Sequence, residues 1–327
     1  MTSYTLLRIL LVVAAAAGSS IVHGQTTRES QYPAKIIRII VPFTPGGSTD
    51  NVSRLLAEKL PPRLGQTVIV DNRPGAGGSI GMEAAARAPA DGYTLVVAPV
   101  GPWAVNPHLY KLPYDVLNDF AIIIRLTAMP GLLIVHPSLP VKTVRELIVL
   151  ARQRPGDLNY GSSGVGGWGH ISAELFSLMT NTRMTHIPYK GSAPALTDLM
   201  SGQIQVLFNT ASTTVSHIRA GTVRALATTG TARMEELPNV PTIIESGVPG
   251  YENTTWSAIG APARTPRMVI ERLNKEIAAI LQTPEVQEWA RKQSSITLGG
   301  TPEEAHKYLM TELSKYGKIV RQAGIKM

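Results

Sequence analysis

The glycine-rich stretch at residues 164–169, GVGGWG, has the spacing of a dinucleotide-binding turn. A predicted strand precedes it and a predicted helix follows it, as such a turn requires. A dinucleotide site also needs an acidic residue about 20 positions further on, at the end of the next strand, to hold the ribose. The next predicted strand ends in HIPYK, residues 186–190, without an acid. We therefore expect neither NAD nor FAD.

Ser79 lies at the centre of a G-x-S-x-G pattern, residues 77–81, which also occurs in serine hydrolases. In those enzymes a strand leads directly into the serine. Here residues 72–75, NRPG, separate Ser79 from the preceding predicted strand. A helix cap is therefore the better interpretation of Ser79.

His170 and Glu174 are four residues apart on a predicted helix and could share one face. No third metal ligand accompanies them in the sequence, so a helix-surface contact is a better interpretation than half of a metal site. The chain has no cysteine, which removes thiol nucleophiles and cysteine metal ligands. We predict no catalytic residue, no metal and no cofactor, and hence no enzyme.

Two strand–turn–helix units, residues 41–50 and 160–170, suit anion binding instead. Each turn presents free backbone N–H groups at the positive end of a helix, and glycine lets an anion approach them closely. Hydroxyl donors are added by Thr44, Ser48, Ser162 and Ser163. One such unit in each half of the chain would clamp a dicarboxylate from both ends. The alternative, that both are ordinary connections in which glycine serves only the geometry, stays open on these residues alone.

Strands and helices alternate along the predicted chain, which is typical of an α/β fold with parallel strands. The β-branched run IIRIIV at residues 36–41 predicts a buried strand. Further strands are predicted at residues 67–70, 94–98, 132–135, 158–160, 186–189, 206–209, 224–228 and 256–260. A chain of 327 residues with this pattern favours two domains.

Helix starts can be predicted at several of the intervening segments. The helix after the first strand begins near Ser48, Thr49 and Asp50, any of which can cap it. A capping box at Thr143 and Glu146 starts another helix. From residue 265 onward we predict helices only, one of them started by a second capping box in the segment TPEE at residues 301–304.

The N-terminal residues follow the order of a secretory signal peptide. Arg8 is followed by an apolar run at residues 9–17, ILLVVAAAA, and then by small residues, with cleavage expected after Gly24. The apolar run is too short for a membrane span, which needs about 20 residues. We predict a leader over residues 1–24 and export, and the absence of cysteine predicts that the protein is not a lipoprotein.

The formal charge of +8 comes from Lys and Arg residues that are scattered along the chain, with no run of four. Aromatic residues make up 6% and are not interleaved with the basic ones, so we expect no nucleic-acid partner. A net positive field raises the encounter rate of anionic solutes, which agrees with two anion-binding turns.

Five ordered motifs resemble those of the Bug proteins, the periplasmic receptors of tripartite tricarboxylate transporters. They are VPFTPGG at residues 41–47 with Asp50, NRPGAGG at 72–78, YGSSG at 160–164 with His170 and Glu174, YKG at 189–191, and LPNVPT at 237–242. Together they cover essentially the whole predicted mature chain. Five motifs in order are specific, unlike a single glycine pattern.

The resemblance implies a two-lobed α/β periplasmic binding protein in which each lobe is a mainly parallel sheet flanked by helices, with two crossover strands. The helical C-terminal segment, packed back on the first lobe, would place the two crossings near residues 127–128 and 255–256. Lobe 1 would comprise residues 33–128 and 256–327, and lobe 2 residues 129–255. The predicted ligand contacts are Phe43, Thr44, Gly46, Gly47, Ser48, Asp50, Ser162, Ser163, Gly164, Gly166, His170, Tyr189 and Asn209.

Asn209 departs from the family pattern, in which an aspartate is frequent at this place. The change leaves the predicted cleft less negative and puts a contact with a ligand amine in doubt.

The function that the resemblance implies is capture of a small carboxylate in the cleft, closure of the lobes by a hinge, and delivery to the membrane subunits of a tripartite tricarboxylate transporter. The receptor would act in the periplasm as a monomer. Two alternatives stay open: a sensory receptor on the same fold that feeds a signalling partner, and a cleft enzyme of the dinucleotide or hydrolase class.

Overall fold

The computed structural model describes residues 32–322, and the predicted leader at residues 1–24 lies outside that range. The strands are β1 (Ile37–Val41), β2 (Val68–Asn72), β3 (Thr94–Pro99), β4 (Phe120–Val135), β5 (Asn159–Ser162), β6 (Thr185–Pro188), β7 (Val206–Thr210), β8 (Arg224–Thr228), β9 (Thr254–Pro262) and β10 (Ile296–Gly299). The α-helices are α1 (Ser48–Lys59), α2 (Pro61–Leu64), α3 (Ser79–Ala86), α4 (Val144–Gln153), α5 (Trp168–Thr180), α6 (Ser192–Met200), α7 (Val215–Arg219), α8 (Arg267–Leu281), α9 (Pro284–Lys292) and α10 (Pro302–Gln322). The predicted alternation of strands and helices is confirmed.

The long strand β4 joins two groups of strands in a ten-stranded sheet whose main order is β2-β1-β3-β9-β4-β7-β5-β6. From Phe120 to Pro130 it pairs antiparallel with β9, from Gly131 to Val135 with β7, and from Leu132 to Val135 with β8. The partners of β4 thus change between Pro130 and Gly131, close to the predicted crossing near residues 127–128. The lobe boundaries themselves stay a prediction.

Parallel pairing prevails away from this long strand. β1 pairs in parallel with β2 and β3, and β5 with β6 and β7. Every antiparallel pair in the described sheet includes β4 or β9. The prediction of mainly parallel sheets therefore describes the outer strands, whereas the long central strands make the whole sheet mixed.

Two connections between a strand and a helix carry the predicted site. The first turn, residues 42–47, leads from β1 into α1, and the second turn, residues 163–167, leads from β5 into α5. In β1 the apolar run is buried at four of five positions, which fixes the end of the strand and hence the place of the first turn. In β5 the last three residues are buried, with the same consequence for the second turn.

The C-terminal part differs from the prediction of helices only. Between α9 and α10, β10 pairs antiparallel with β4, with Ile296 opposite Ala128. The sequence of β10 is too short to show a strand period, and its partner lies far away in the chain. The second capping box is confirmed, because the Thr301 N–H donates to Glu304 Oε2 at 2.9 Å and the Glu304 N–H donates to Thr301 Oγ1 at 3.2 Å.

Packing around Trp103 shows how the core supports β3 and β4. The indole is fully buried, meets the ring of Phe120 edge-on at 5.2 Å, and donates its N–H to the Ala98 carbonyl at 3.1 Å.

Within residues 32–322, no helix combines the length and the apolar character that crossing a membrane requires.

Candidate functional site

A cavity of about 50 Å³ lies where the first and second turns face each other. Its lining comprises Phe43, Thr44, Gly47, Ser48, Thr49, Asp50, Pro99, Gly101, Pro102, Ser163, Gly167, Trp168, Gly169, Ser192, Leu207, Phe208, Asn209, Thr210 and Thr255. Among these described lining residues Asp50 is the only one with a formal charge. The cavity therefore offers a polar and aromatic surface without a lysine or an arginine in its lining.

The N-termini of three helices reach this cavity. The N-caps of α1, α5 and α6 are Gly47, Gly167 and Gly191, and none of them makes a side-chain capping bond. The expectation that Ser48, Thr49 or Asp50 caps α1 is thus wrong, since all three lie inside the helix. The first N–H groups of an α-helix have no partner within the helix and carry its positive partial charge. Three such ends directed at one cavity favour a negatively charged guest.

Asp50 is buried, with 2% of its surface exposed, and its carboxylate is engaged by the protein. Oδ2 accepts from the Gly46 N–H at 3.0 Å and from Arg54 Nε at 2.8 Å, and Oδ1 accepts from Asn72 Nδ2 at 3.0 Å. Burial alone would raise the pKa of Asp50, but these hydrogen bonds lower it overall. The carboxylate is therefore ionised, its charge is balanced by Arg54, and it holds the first turn in shape.

Two residues of the lining each carry a polar atom that has no hydrogen-bond partner among residues 32–322. These atoms are the buried Oγ1 of Thr44 and the buried Nε1 of Trp168. A buried polar group without a partner costs about 1–3 kcal/mol, so such groups are natural contacts for a polar ligand.

The predicted ligand contacts divide into two groups. Seven line the cavity: Phe43, Thr44, Gly47, Ser48, Asp50, Ser163 and Asn209. Six do not: Gly46, Ser162, Gly164, Gly166, His170 and Tyr189. The ligand-binding role of all thirteen stays a prediction, but the second group has other partners that explain its position.

The second turn is held by hydrogen bonds inside the protein. Ser162 Oγ accepts from the Gly164 N–H at 3.1 Å and bonds to His186 Nε2 at 2.7 Å. The Gly166 N–H donates to His170 Nδ1 at 3.2 Å. These groups shape the turn and are not directed at the cavity.

The rings of Tyr160, His170 and His186 form a stack, in which the two imidazoles lie 4.2 Å apart. Burial, together with the neighbouring His186, lowers the pKa of His170 to about 3, and burial lowers the pKa of His186 to about 4. Glu174 accepts a short hydrogen bond from the Tyr160 hydroxyl. Over residues 32–322 no group of three acidic or histidine side chains is placed to hold a metal ion.

Tyr189 is turned away from the cavity. Its hydroxyl donates to Asp198 Oδ2 at 2.7 Å, and its backbone N–H donates to the Ser162 carbonyl at 3.0 Å. Ser192, which directly follows this motif at the start of α6, does reach the cavity.

Several lining residues were missed from the sequence. Gly191 before an apolar helix pattern could have indicated Ser192, and the VGPW segment at residues 100–103 could have indicated the turn after β3. No local signal indicates Thr255, because it reaches the cavity through the long-range pairing of β9 with β4.

The fold and the site together define the class: a periplasmic solute-binding protein with its cavity between strand–helix turns. Two solved structures share the fold over nearly their whole length. R. palustris Rpa4515 with adipate has a TM-score of 0.88 and 39% identity, covering 90% of this chain and 99% of that one. MatC from Rhodopseudomonas palustris with bound malate has a TM-score of 0.85 and 29% identity, covering 88% and 100%.

The family follows from the sequence comparison. The family model for the tripartite tricarboxylate transporter family receptor matches residues 52–325, and the chain belongs to that family. Protein BugT of Bordetella pertussis is 38% identical over 90% of this chain and 91% of its own length. The resemblance to the Bug proteins and the α/β binding-protein fold are thereby confirmed, and the chain is a solute-binding receptor, like its relatives.

Proposed function

We propose that this receptor captures a small carboxylate in the cavity between two lobes and delivers it to the membrane subunits of a tripartite tricarboxylate transporter. The lobes would be residues 33–128 with 256–327, and residues 129–255. The observation that carries the proposal is the convergence of three uncapped helix N-termini on a cavity whose described lining contains no lysine or arginine.

Helix N-termini can replace basic side chains in this role. Each end carries a partial charge of roughly +0.5 together with free N–H donors. Asp50 does not oppose an anion strongly, because Arg54 balances its charge. Thr44, Ser48 and Ser163 add hydroxyl groups to the lining. Since N-termini reach the cavity from the first and second turns, both ends of a dicarboxylate can be held. The ligands of two relatives with solved structures, adipate and malate, are dicarboxylates.

The cavity is poorly suited to an ammonium group. Asn209 offers an amide, whose Nδ2 donates to Thr213 Oγ1 at 3.1 Å and to Thr214 Oγ1 at 3.0 Å. The carboxylate of Asp50 is occupied by its own donors. The preferred ligands are therefore carboxylic acids without an amine.

Isothermal titration calorimetry on the purified mature protein tests the proposal. The panel contains butyrate, the linear dicarboxylates from malonate to suberate, malate and tricarballylate. Adipamide serves as the matched neutral control for adipate. We expect heat and a thermal shift with at least one carboxylate, and binding of the diamide at least about 100-fold weaker, equivalent to two losses of 1.4 kcal/mol. No response to any carboxylate, or equal affinity for acid and diamide, would refute carboxylate capture.

Export and delivery need separate measurements. N-terminal sequencing of the protein from a periplasmic fraction should begin at Gln25, after the predicted leader. Light scattering should give the mass of a monomer. Carboxylate-loaded protein should retain integral membrane proteins of a transporter, and recovery of a signalling protein instead would favour the sensory alternative.

A further inference from the structure

The first turn contacts the chain before α6 at Gly191. The Thr44 N–H donates to the Lys190 carbonyl at 3.3 Å. A Cβ on Gly191 would lie 2.1 Å from Thr44 Oγ1 and 3.3 Å from Thr44 N. The backbone at Gly191 is extended, with φ of 168°, which any L-residue can adopt. Glycine is therefore required here by the neighbour across the contact and not by the backbone conformation.

A second contact of this kind involves the second turn. The Tyr110 hydroxyl donates to the Val165 carbonyl in the second turn at 2.8 Å. Nearby, a Cβ on Gly101 would lie 2.9 Å from the Gly166 carbonyl oxygen. Glycine again allows two backbone segments to touch.

Each contact involves a residue that lines the cavity, but Gly191 and Tyr110 themselves do not line it. The lining residues are Thr44 and Gly101. Each contact also joins segments that the proposed lobes would assign to opposite sides. Separation of the lobes must therefore break the Tyr110 bond and open the Gly191 contact, and closure must restore them.

We propose that Gly191 and Tyr110 set the balance between the open and closed forms of the receptor, and thereby its affinity and release rate, without touching the ligand. Gly191 permits closure because it has no side chain, and Tyr110 holds the closed form through one hydrogen bond. The inference rests on the proposed two-lobed function. A binding-competent closed form that is less populated lowers the apparent affinity by the same factor.

Distance measurements between spin labels test the balance directly. The chain has no cysteine, so labels on Glu58→Cys in α1 and Thr197→Cys in α6 report only the intended pair. Double electron–electron resonance is recorded with and without adipate. In Gly191→Ala we expect a shift toward longer distances in both conditions, because the added methyl acts as a wedge. In Tyr110→Phe we expect a smaller shift in the same direction.

Binding of adipate provides the second measurement. We expect the dissociation constant to rise at least about tenfold in Gly191→Ala and about 2- to 10-fold in Tyr110→Phe, the range for one hydrogen bond. Tyr308→Phe removes the same hydroxyl from a tyrosine that packs on Trp256, and it should change neither the distances nor the affinity.

A double variant distinguishes the steric effect of the added methyl group from a general loss of structure. Thr44→Ala combined with Gly191→Ala removes the closest clashing atom and should return the distances toward those of the parent. Unchanged distances and affinity in Gly191→Ala would overturn the proposal, as would a shift that Thr44→Ala fails to reduce. Should Gly191→Ala not fold, Tyr110→Phe carries the test alone. If the variants change the label distances as expected but neither adipate nor its homologues bind, the role of Gly191 and Tyr110 in the open–closed equilibrium is supported and carboxylate capture is refuted.

Discussion

The imidazoles of His170 and His186 stack with their centroids 4.2 Å apart; His170 bonds to the second turn, and His186 bonds to the last residue of β5, just before that turn. His170 Nδ1 accepts from the Gly166 N–H, and His186 Nε2 bonds to Ser162 Oγ. Nδ1 of His170 can accept this bond only when it carries no proton. The shape of a ligand-facing turn is therefore coupled to the neutral form of a buried histidine.

The first prediction concerns pH. Burial holds the pKa values of His170 and His186 at about 3 and about 4, below the ordinary imidazole value of about 6.5. At pH values between the lowered pKa values and 6.5, the two histidines bind more protons in the unfolded chain than in the folded one. The free energy of unfolding therefore decreases as the pH falls. Each imidazole contributes a loss of roughly 2.5–3 kcal/mol between pH 6.5 and 4, so we expect the free energy of unfolding to drop on the order of 5 kcal/mol over this interval.

Urea unfolding at a series of pH values measures this loss. His186→Asn removes one of the two titrating imidazoles and should make the dependence on pH shallower over the same interval. An equally steep dependence in the variant would show that groups other than these two imidazoles dominate the acid response.

The second prediction concerns the Thr44 hydroxyl, whose Oγ1 is buried and has no partner among residues 32–322. Thr44→Val keeps the shape of the side chain and removes the polar atom. We expect adipate to bind about 1.5–3 kcal/mol more weakly, the range for a hydrogen bond to a charged group. The free energy of unfolding without adipate should stay equal or rise, because an unsatisfied hydroxyl is removed.

Thr265→Val is the matched control for this change. Thr265 Oγ1 is also buried without a partner in the described chain, but it lies outside the cavity. The control should show the same effect on unfolding and none on adipate binding. Equal affinities in both variants would mean that the Thr44 hydroxyl does not contact the carboxylate.

The third prediction concerns Asn209 and ligand amines. Asn209→Asp places a negative charge in the lining, where the neutral amide now donates to Thr213 and Thr214. Glutarate should bind more weakly, because like charges at an interface cost several kcal/mol. Glutamate has the same carbon chain with an added ammonium group, and its binding affinity should decrease less than that of glutarate. Calorimetry should therefore show the ratio of glutamate to glutarate affinity rising at least about tenfold, or 1.4 kcal/mol. A constant ratio would place the ligand's α-carbon away from Asn209.

The fourth prediction concerns the end of α9. The Ser294 N–H donates to the Arg291 carbonyl and the Ser295 N–H donates to the Ala290 carbonyl, the pattern of a Schellman cap. Ser294 has φ of 50°, in the region that favours glycine, and its buried Oγ has no partner among the described residues. Ser294→Gly should stabilise the protein by about 0.5–1 kcal/mol in urea unfolding.

Ser294→Ala separates the two causes, because it removes the hydroxyl and keeps the strained backbone. If alanine stabilises as much as glycine, the unsatisfied hydroxyl and not the backbone is responsible for the effect.

The sequence predicts the parts of the site that depend on local signals. A buried β-branched strand, a glycine-rich turn and a helix pattern lie together within residues 36–60, so the first turn could be placed before the structure was known. The same holds for residues 158–180 and the second turn. In each case the spacing of the apolar residues changes from the pattern of a strand to that of a helix, and a few glycines separate the two patterns.

Features that depend on distant partners could not be predicted in this way. Ser162 and His170 look like ligand donors in the sequence, but their polar atoms bond to His186 and Gly166. The location of His186 beside them is decided by the parallel pairing of β5 with β6. Likewise β10 exists as a strand only because β4 extends far enough to pair with it.

The fifth prediction concerns a buried polar chain that links α10 to α5. The Tyr316 hydroxyl donates to Asn253 Oδ1 at 2.9 Å, and Asn253 Nδ2 donates to Ser172 Oγ at 2.7 Å. Tyr316, Asn253 and Ser172 are fully buried, and Asn253 directly precedes β9. Because α10 and α5 belong to opposite proposed lobes, this chain crosses between them beside a crossover strand.

Tyr316→Phe leaves Asn253 Oδ1 buried without its donor, which should cost about 1–3 kcal/mol in the free energy of unfolding. The ring is retained, so packing contributes little to the loss. Tyr308→Phe, on the same helix but only half buried, should cost less than about 0.5 kcal/mol, as surface changes do. Equal losses in the two variants would show that Asn253 finds another donor, and the polar chain would then not tie α10 to the start of β9.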